Sequence, residues 1–230
     1  KINLNPRFNQ SSKITIPILD IIKNVMENPI KIPDYLGKIN NKKLKQISPY
    51  QNNFHVAEYK YNNESNINNF FDKYKSNKKL WDESNFSQRK EVFLKAADLI
   101  ENKYYNTMLA YTIVGQNKTI YEAEIDAICE LVDFIRFNVS YTEEILSKQP
   151  LHTDFHSNMS EYNSLNGFVA SITPFNFTAI AGNLATAPLY FGNSVLWKPS
   201  DNAILSNHLF YKIMLEAGLP EGVLNFCPME

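Results

Sequence analysis

Glycine is scarce in this chain. There are 7 in 230 residues, and no two form a Gly-x-Gly pair. The usual dinucleotide fingerprint and the phosphate-binding loop both need such glycines, so both are excluded. Cysteine is scarcer still, with only Cys129 and Cys227. That excludes a disulfide scaffold and favours a reducing compartment. No charge of one sign dominates: 23 Lys and Arg stand against 24 Asp and Glu, a net charge of -1. A broad electrostatic footprint for nucleic acid or an anionic membrane is therefore not expected. Long apolar runs are missing too. The most apolar stretch, 175–191, is interrupted by Asn176, Thr178, Asn183, Thr186 and Pro188, so no membrane insertion is expected. No signal or transit peptide is visible.

Apolar residues make up 44% of the chain, enough over this length to bury a core of one large domain or two small ones. The first third is rich in Asn and Lys, including Asn40, Asn41, Lys42 and Lys43, a bias of solvated surface. Ile14, Ile18, Ile21, Ile22 and Val25 have roughly helical spacing. Residues 54–59 read as a strand and 64–79 as an amphipathic helix. A stripe of Val92, Phe93, Ala96, Leu99 and Ile100 predicts one helix over 87–112, capped by Asn85 or Ser87 and broken at Gly115. A second long helix is predicted over 119–145. Its stripe is Ile125, Ile128, Cys129, Val132, Ile135 and Val139, and Thr119 with Glu122 has capping-box spacing. Residues 147–166 read as a polar hairpin or arm. After them come a strand (167–172), a small-residue helix (178–191), a strand (194–197), a helix (203–217) stopped by Gly218 and Pro220, and a strand (223–226). That alternation predicts parallel βαβ units. The fold class is α/β: an N-terminal helical layer over 1–146, an arm over 147–166, and the first βαβαβ units of a Rossmann-like core over 167–230. A doubly wound sheet normally has more strands, so the domain is expected to be incomplete, and the edge after 223–226 to stand open.

Two short segments lie where an α/β sheet binds ligands, at the carboxyl ends of strands. Asn176, in Thr173-Pro174-Phe175-Asn176-Phe177, offers an amide donor to an oxygen that becomes negative during a reaction. Alternatively it caps the next helix, a role Asn favours. Lys198 can donate to ribose hydroxyls or phosphate, and Asp201 can accept from ribose hydroxyls. Alternatively, Ser200 and Asp201 start a helix whose first turn welcomes acidic residues. Taken alone, each capping alternative is the stronger. His152 and His156 have a spacing that holds a metal on a helix, but their segment has no helical stripe and no third ligand nearby, so no metal is expected.

The order of Pro174-Phe175-Asn176-Phe177, Gly192 to Ser200, and Glu216 to Phe226 resembles the aldehyde dehydrogenase superfamily. That family holds its nicotinamide cofactor without a Gly-x-Gly-x-x-Gly fingerprint. Five further stretches resemble its glutamate-semialdehyde (pyrroline-5-carboxylate) branch: 93–98, 114–119, 123–127, 133–138 and 174–180. Phe175 stands where the wider family favours Trp. The likeness begins near residue 30.

The resemblance implies oxidation of an aldehyde with NAD. Asn176 would be the oxyanion-hole side chain. Thr173, Phe175, Lys198, Ser200 and Asp201 would lie along the cofactor, with Asp201 repelling a 2′-phosphate and so favouring NAD over NADP. Phe177 would line the aldehyde tunnel. Glu130 would bind the substrate nitrogen; without the resemblance, it reads as solvated helix face beside Asp126 and Asp133. The arm would serve a homo-oligomer, and the compartment would be the mitochondrial matrix or, alternatively, the cytoplasm. The family's chemistry also needs a cysteine thiolate and a general-base glutamate. Neither Cys129 nor Cys227 stands where the family has its nucleophile, so these 230 residues alone are expected to be inactive. The alternative is a non-catalytic structural or regulatory subunit, distinguished by the intact mass of the purified protein.

Overall fold

In the computed structural model, the described residues are 11–38, 42–50 and 54–230. Helix α1 (Ser11–Glu27) leads into a three-stranded sheet, in which β1 (Ile30–Lys31) runs parallel to β3 (His55–Tyr59) and β2 (Leu44–Ile47) antiparallel to it. The N-terminal layer is thus mixed rather than purely helical. Helix α2 (Glu64–Glu83) starts at a capping box formed by Asn63 and Asn66.

The single helix expected over 87–112 is two, α3 (Phe86–Glu101) and α4 (Tyr105–Gln116). Asn102 ends α3 by donating to the Asp98 carbonyl (3.2 Å) and carboxylate (2.8 Å). The apolar stripe hides the break because both helices pack on a common partner, α8 (Ile204–Ala217). Asn85, not Ser87, is the cap of α3. Gly115 does not break the chain; it lies within α4, and the turn falls at Asn117 with φ 56°. A Cβ on Gly115 would sit 3.0 Å from Gln46 Nε2. The bare backbone there admits the Gln46 amide, which donates to the carbonyls of Gly115 (3.1 Å) and Asn202 (2.8 Å) and accepts from Leu205 N (2.8 Å). One buried side chain thereby ties β2 to α4 and α8.

The second long helix is also subdivided: α5 (Ile120–Glu124), a π-helical segment (Ile125–Glu130) and α6 (Leu131–Ser147). The Thr119–Glu122 capping box is present. Residues 148–166 form an exposed arm without strands, closed on itself where Ser160 N donates to the Gln149 amide oxygen (2.8 Å). His152 and His156 lie in this loop, and His152 Nδ1 accepts from Asn158 N. The helical geometry that would let them share a metal is therefore absent.

The core sheet is parallel, in the order β4 (Val169–Ile172), β5 (Val195–Lys198), β6 (Leu224–Phe226). Helix α7 (Thr178–Thr186) and a 3-10 turn (Ala187–Phe191) connect β4 to β5. A second 3-10 turn (Asp201–Ala203) and α8 connect β5 to β6. Trp197, Phe210 and Phe226 pack edge to face at the sheet–helix interface, and Phe93 stacks on Tyr190 at 3.8 Å. As expected, no strand pairs with the outer side of β6 among the described residues, although its side chains are covered. β6 is buried along its length, and the adjoining Cys227 packs under Phe70 with Leu36 and Tyr74 beside it. β4 is the other edge of the sheet, and its Ile172 is 76% exposed.

Candidate functional site

The chain leaves β4 at Ile172, passes through Thr173 to Phe177 and enters α7 at Thr178. Side chains hold this short connection at several points. The Thr173 hydroxyl accepts from Trp197 Nε1 (2.9 Å), and Thr173 N donates to the Lys198 carbonyl (3.1 Å). Gln116 Nε2 donates to the Phe175 carbonyl (2.7 Å), and the Gln116 amide oxygen accepts from the Thr178 hydroxyl (3.1 Å). Asp126 accepts from Thr178 N through Oδ2 (3.0 Å) and from Ala179 N through Oδ1 (2.8 Å). Asn176 lies inside this bracket. Its side chain is exposed and makes no hydrogen bond among the described residues. The capping alternative is thereby removed: Phe177 occupies the N-cap position without a side-chain cap, and a carboxylate from another helix takes the first amides of α7.

That carboxylate also accounts for the missing glycine fingerprint. In a Rossmann turn, the helix N-terminus receives a pyrophosphate on free N–H groups. Here Asp126 already occupies those groups and balances the positive end of the helix dipole. Asp126 is 1% exposed, and the mostly buried Lys118 ammonium donates to it. Lys118 also lies over the Phe177 ring, 4.3 Å from its centroid, a cation–π contact. Glu130 ends the π-helical segment, partly buried. Its pKa is raised, first by burial and then by Asp126, while Lys118 acts the other way. The expected solvated face around Glu130 is thus a partly buried charged cluster, with Phe177 against its lysine.

Sequence reasoning missed Gln116, Lys118 and Asp126 as functional residues. Gln116 and Lys118 lie in the stretch 114–119 and Asp126 in 123–127, the stretches that carry the family likeness, which was the available signal. Helical periodicity puts Asp126 outside the apolar stripe. The π turn alters that, because the Asp126 carbonyl accepts from Leu131 N five residues on, and such turns concentrate at functional sites.

At the carboxyl end of β5, Lys198 is partly exposed and pairs in register with Ile172. Among the described residues its ammonium and the Ser200 hydroxyl have no hydrogen-bond partner. Asp201 departs from expectation. Its Oδ2 accepts from the Tyr61 hydroxyl, and its Oδ1 is buried. The carboxylate faces the protein rather than a ribose, so the argument from Asp201 for NAD over NADP loses its basis. Phe175, in the connection from β4 to α7, is 58% exposed. Both cysteines are buried, and burial pushes the Cys227 thiol up to about 12, which keeps it protonated and unreactive at neutral pH.

Comparison with known proteins gives the family. The aldehyde dehydrogenase family model matches residues 37–230. The mitochondrial delta-1-pyrroline-5-carboxylate dehydrogenase of Homo sapiens is 45% identical over 185 residues, covering 80% of this chain and 33% of that protein. The probable delta-1-pyrroline-5-carboxylate dehydrogenase of Schizosaccharomyces pombe is 44% identical over 216 residues, covering 94% and 37%. The solved Mycobacterium tuberculosis enzyme of that name, bound with NAD, matches with a TM-score of 0.95 at 34% identity, over 100% of this chain and 44% of that one. The chain thus spans 33% to 37% of the length of these two curated relatives. It belongs to the aldehyde dehydrogenase family, and the relatives it resembles are pyrroline-5-carboxylate dehydrogenases.

Proposed function

We propose that this chain forms the oxyanion-donor and cofactor side of an enzyme that uses NAD to oxidise L-glutamate γ-semialdehyde, formed by opening of pyrroline-5-carboxylate, to glutamate in proline catabolism. The observation that carries this reading is the turn at 173–179, held on both sides of Asn176 while its amide stays free. A donor fixed before the reaction stabilises a developing oxyanion without reorganising. Phe177 is the apolar wall of the aldehyde path. Glu130 receives the substrate's amino or imine nitrogen, and its mixed environment of Asp126 and Lys118 supports that role.

Lys198 and Ser200 suit the adenosine ribose of NAD, because their polar groups are unspent at the carboxyl end of β5. Thr173 and Phe175 lie at the same carboxyl end of the sheet, where Thr173 would meet the cofactor through its backbone, since its hydroxyl is held by Trp197. When bound, NAD supplies the hydride acceptor. The mitochondrial relatives support the mitochondrial matrix as the compartment. The arm, with Leu151, Phe155 and Met159 each more than 80% exposed, supports homo-oligomer contacts.

The test is NADH formation from pyrroline-5-carboxylate by the protein in its natural full length. Asn176→Ala is expected to lower kcat about 10²- to 10³-fold, with little change in the KM for NAD. The reading fails if wild type forms no NADH from this substrate while oxidising simple aldehydes, or if Asn176→Ala retains full kcat.

A further inference from the structure

Asp126 is among the most buried carboxylates of the described residues. Its two oxygens bond Thr178 N and Ala179 N, two and three residues after Asn176. On the other side of Asn176, Gln116 grips the Phe175 carbonyl. The position of Asn176 is therefore set from both flanks. Asp126 is fixed in turn by the π turn, through its own carbonyl to Leu131 N, and by Lys118, which also braces the Phe177 ring. We infer that Asp126, clamped by Lys118, is the positioning residue for Asn176. Gripping the first amides of α7 sets where the Asn176 amide points, and filling that helix end leaves Asn176 as the turn's free donor. This rests on the reading of Asn176 as the oxyanion donor.

The inference separates Asp126 from an ordinary buried cap. A cap that only stabilised the fold would lower stability without caring whether Asn176 is present. A positioning residue acts through the Asn176 amide, so its kinetic effect disappears when that amide is gone. Misplacement of a reacting group by about 1 Å costs up to about 10²-fold in rate.

The experiment is a double-mutant cycle on the full-length protein, with pyrroline-5-carboxylate and a simple aliphatic aldehyde as parallel substrates. Asp126→Ala is expected to lower kcat about 10²-fold, with the KM for NAD unchanged. Asp126→Asn keeps one acceptor oxygen and presents an NH₂ to the other amide, so it is expected to lose less, about tenfold. In the Asn176→Ala background, Asp126→Asn is expected to change kcat less than about twofold. Because Asp126→Ala removes a buried partner of Lys118 and is liable to misfold, Asp126→Asn is the deciding variant. NAD binding confirms that it folds, and faster amide exchange at Thr178 and Ala179 confirms the lost grip. Unchanged kcat in Asp126→Asn, or fully multiplicative effects with Asn176→Ala, would overturn the inference while leaving the proposed function intact. The same coupling on the aliphatic aldehyde, with no turnover of pyrroline-5-carboxylate, would overturn the substrate and leave the positioning role standing. No turnover of either substrate by wild type would overturn both.

Discussion

Glu130 is partly buried beside Asp126, and burial and that second carboxylate both favour its neutral form more than Lys118 opposes it. A carboxyl whose pKa is raised on folding takes up protons in the native state that the unfolded chain does not. Stability therefore falls as pH rises through the window from the ordinary glutamate value to the raised one, and the cost is fully present above it. Glu130→Gln removes that cost. Thermal melts are expected to show the variant more stable than wild type at neutral pH, with the gain vanishing below the ordinary carboxylate range. Steady-state kinetics on the full-length protein are expected to show a raised KM for pyrroline-5-carboxylate. A stability gain paired with a binding loss is the mark of a functional residue; a variant that lost both would make Glu130 structural. Glu130 and Asn176 were legible because the family likeness pointed at them. Asp126 and Lys118 were not, since their partners lie on the start of α7 and on Phe177, more than 50 residues along the chain. Asp201 misled for the same reason: its partner, Tyr61, is 140 residues away.

Among the elements, local signals were reliable where they were self-contained. The capping boxes at Asn85 and Thr119 need only residues three apart, and both are formed. The Gly218 stop of α8 is likewise local, with Gly218 in a left-handed conformation. The split between α3 and α4 and the π-helical segment were hidden, because an apolar stripe records which face is buried and not whether the backbone is continuous. Helix α7 shows what its small residues are for. A Cβ on Gly182 would come within 2.7 Å of Leu131 Cδ1 and 3.0 Å of the Phe210 ring, and both side chains are fully buried. Gly182 thus lets α6, α7 and α8 meet closely. Gly182→Ala gains up to about 1 kcal/mol in helix propensity. Overpacking a filled core costs about 1–3 kcal/mol. Calorimetry is expected to find a net loss of about 1–2 kcal/mol. An unchanged or raised Tm would mean that Leu131 and Phe210 yield more readily than their burial implies.

The βαβαβ order of the whole molecule was readable because alternating strands and helices leave few topologies. Which part of the sheet the first third of the chain covers was not readable, because the cover comes from the opposite end of the chain. Asn62 N donates to the Pro228 carbonyl (2.8 Å), while Phe70 packs with Leu196, Cys227 and Phe168 across the sheet. Among the described residues both β4 and β6 lack a strand on their outer sides, but the exposed apolar side chains gather at the end of β4 and just after it: Ile172 at 76%, Phe175 at 58% and Phe177 at 38%. An exposed strand edge with apolar side chains is a template for pairing with another chain. A polypeptide of these 230 residues is therefore expected to self-associate through β4, with sedimentation showing a concentration-dependent rise in mass. Ile172→Lys puts a charge on that edge, a device natural sheets use against pairing, and is expected to shift the population toward monomer without lowering the Tm, since residue 172 contributes little to the core. Cys227, which flanks β6, is expected to stay closed to alkylation in both proteins, because its side chain is buried. A monodisperse wild-type polypeptide that melts cooperatively as a monomer would refute the role given to β4. Association that Ile172→Lys leaves untouched would move the contact elsewhere, to the outer side of β6 or to the exposed Leu151, Phe155 and Met159 of the arm.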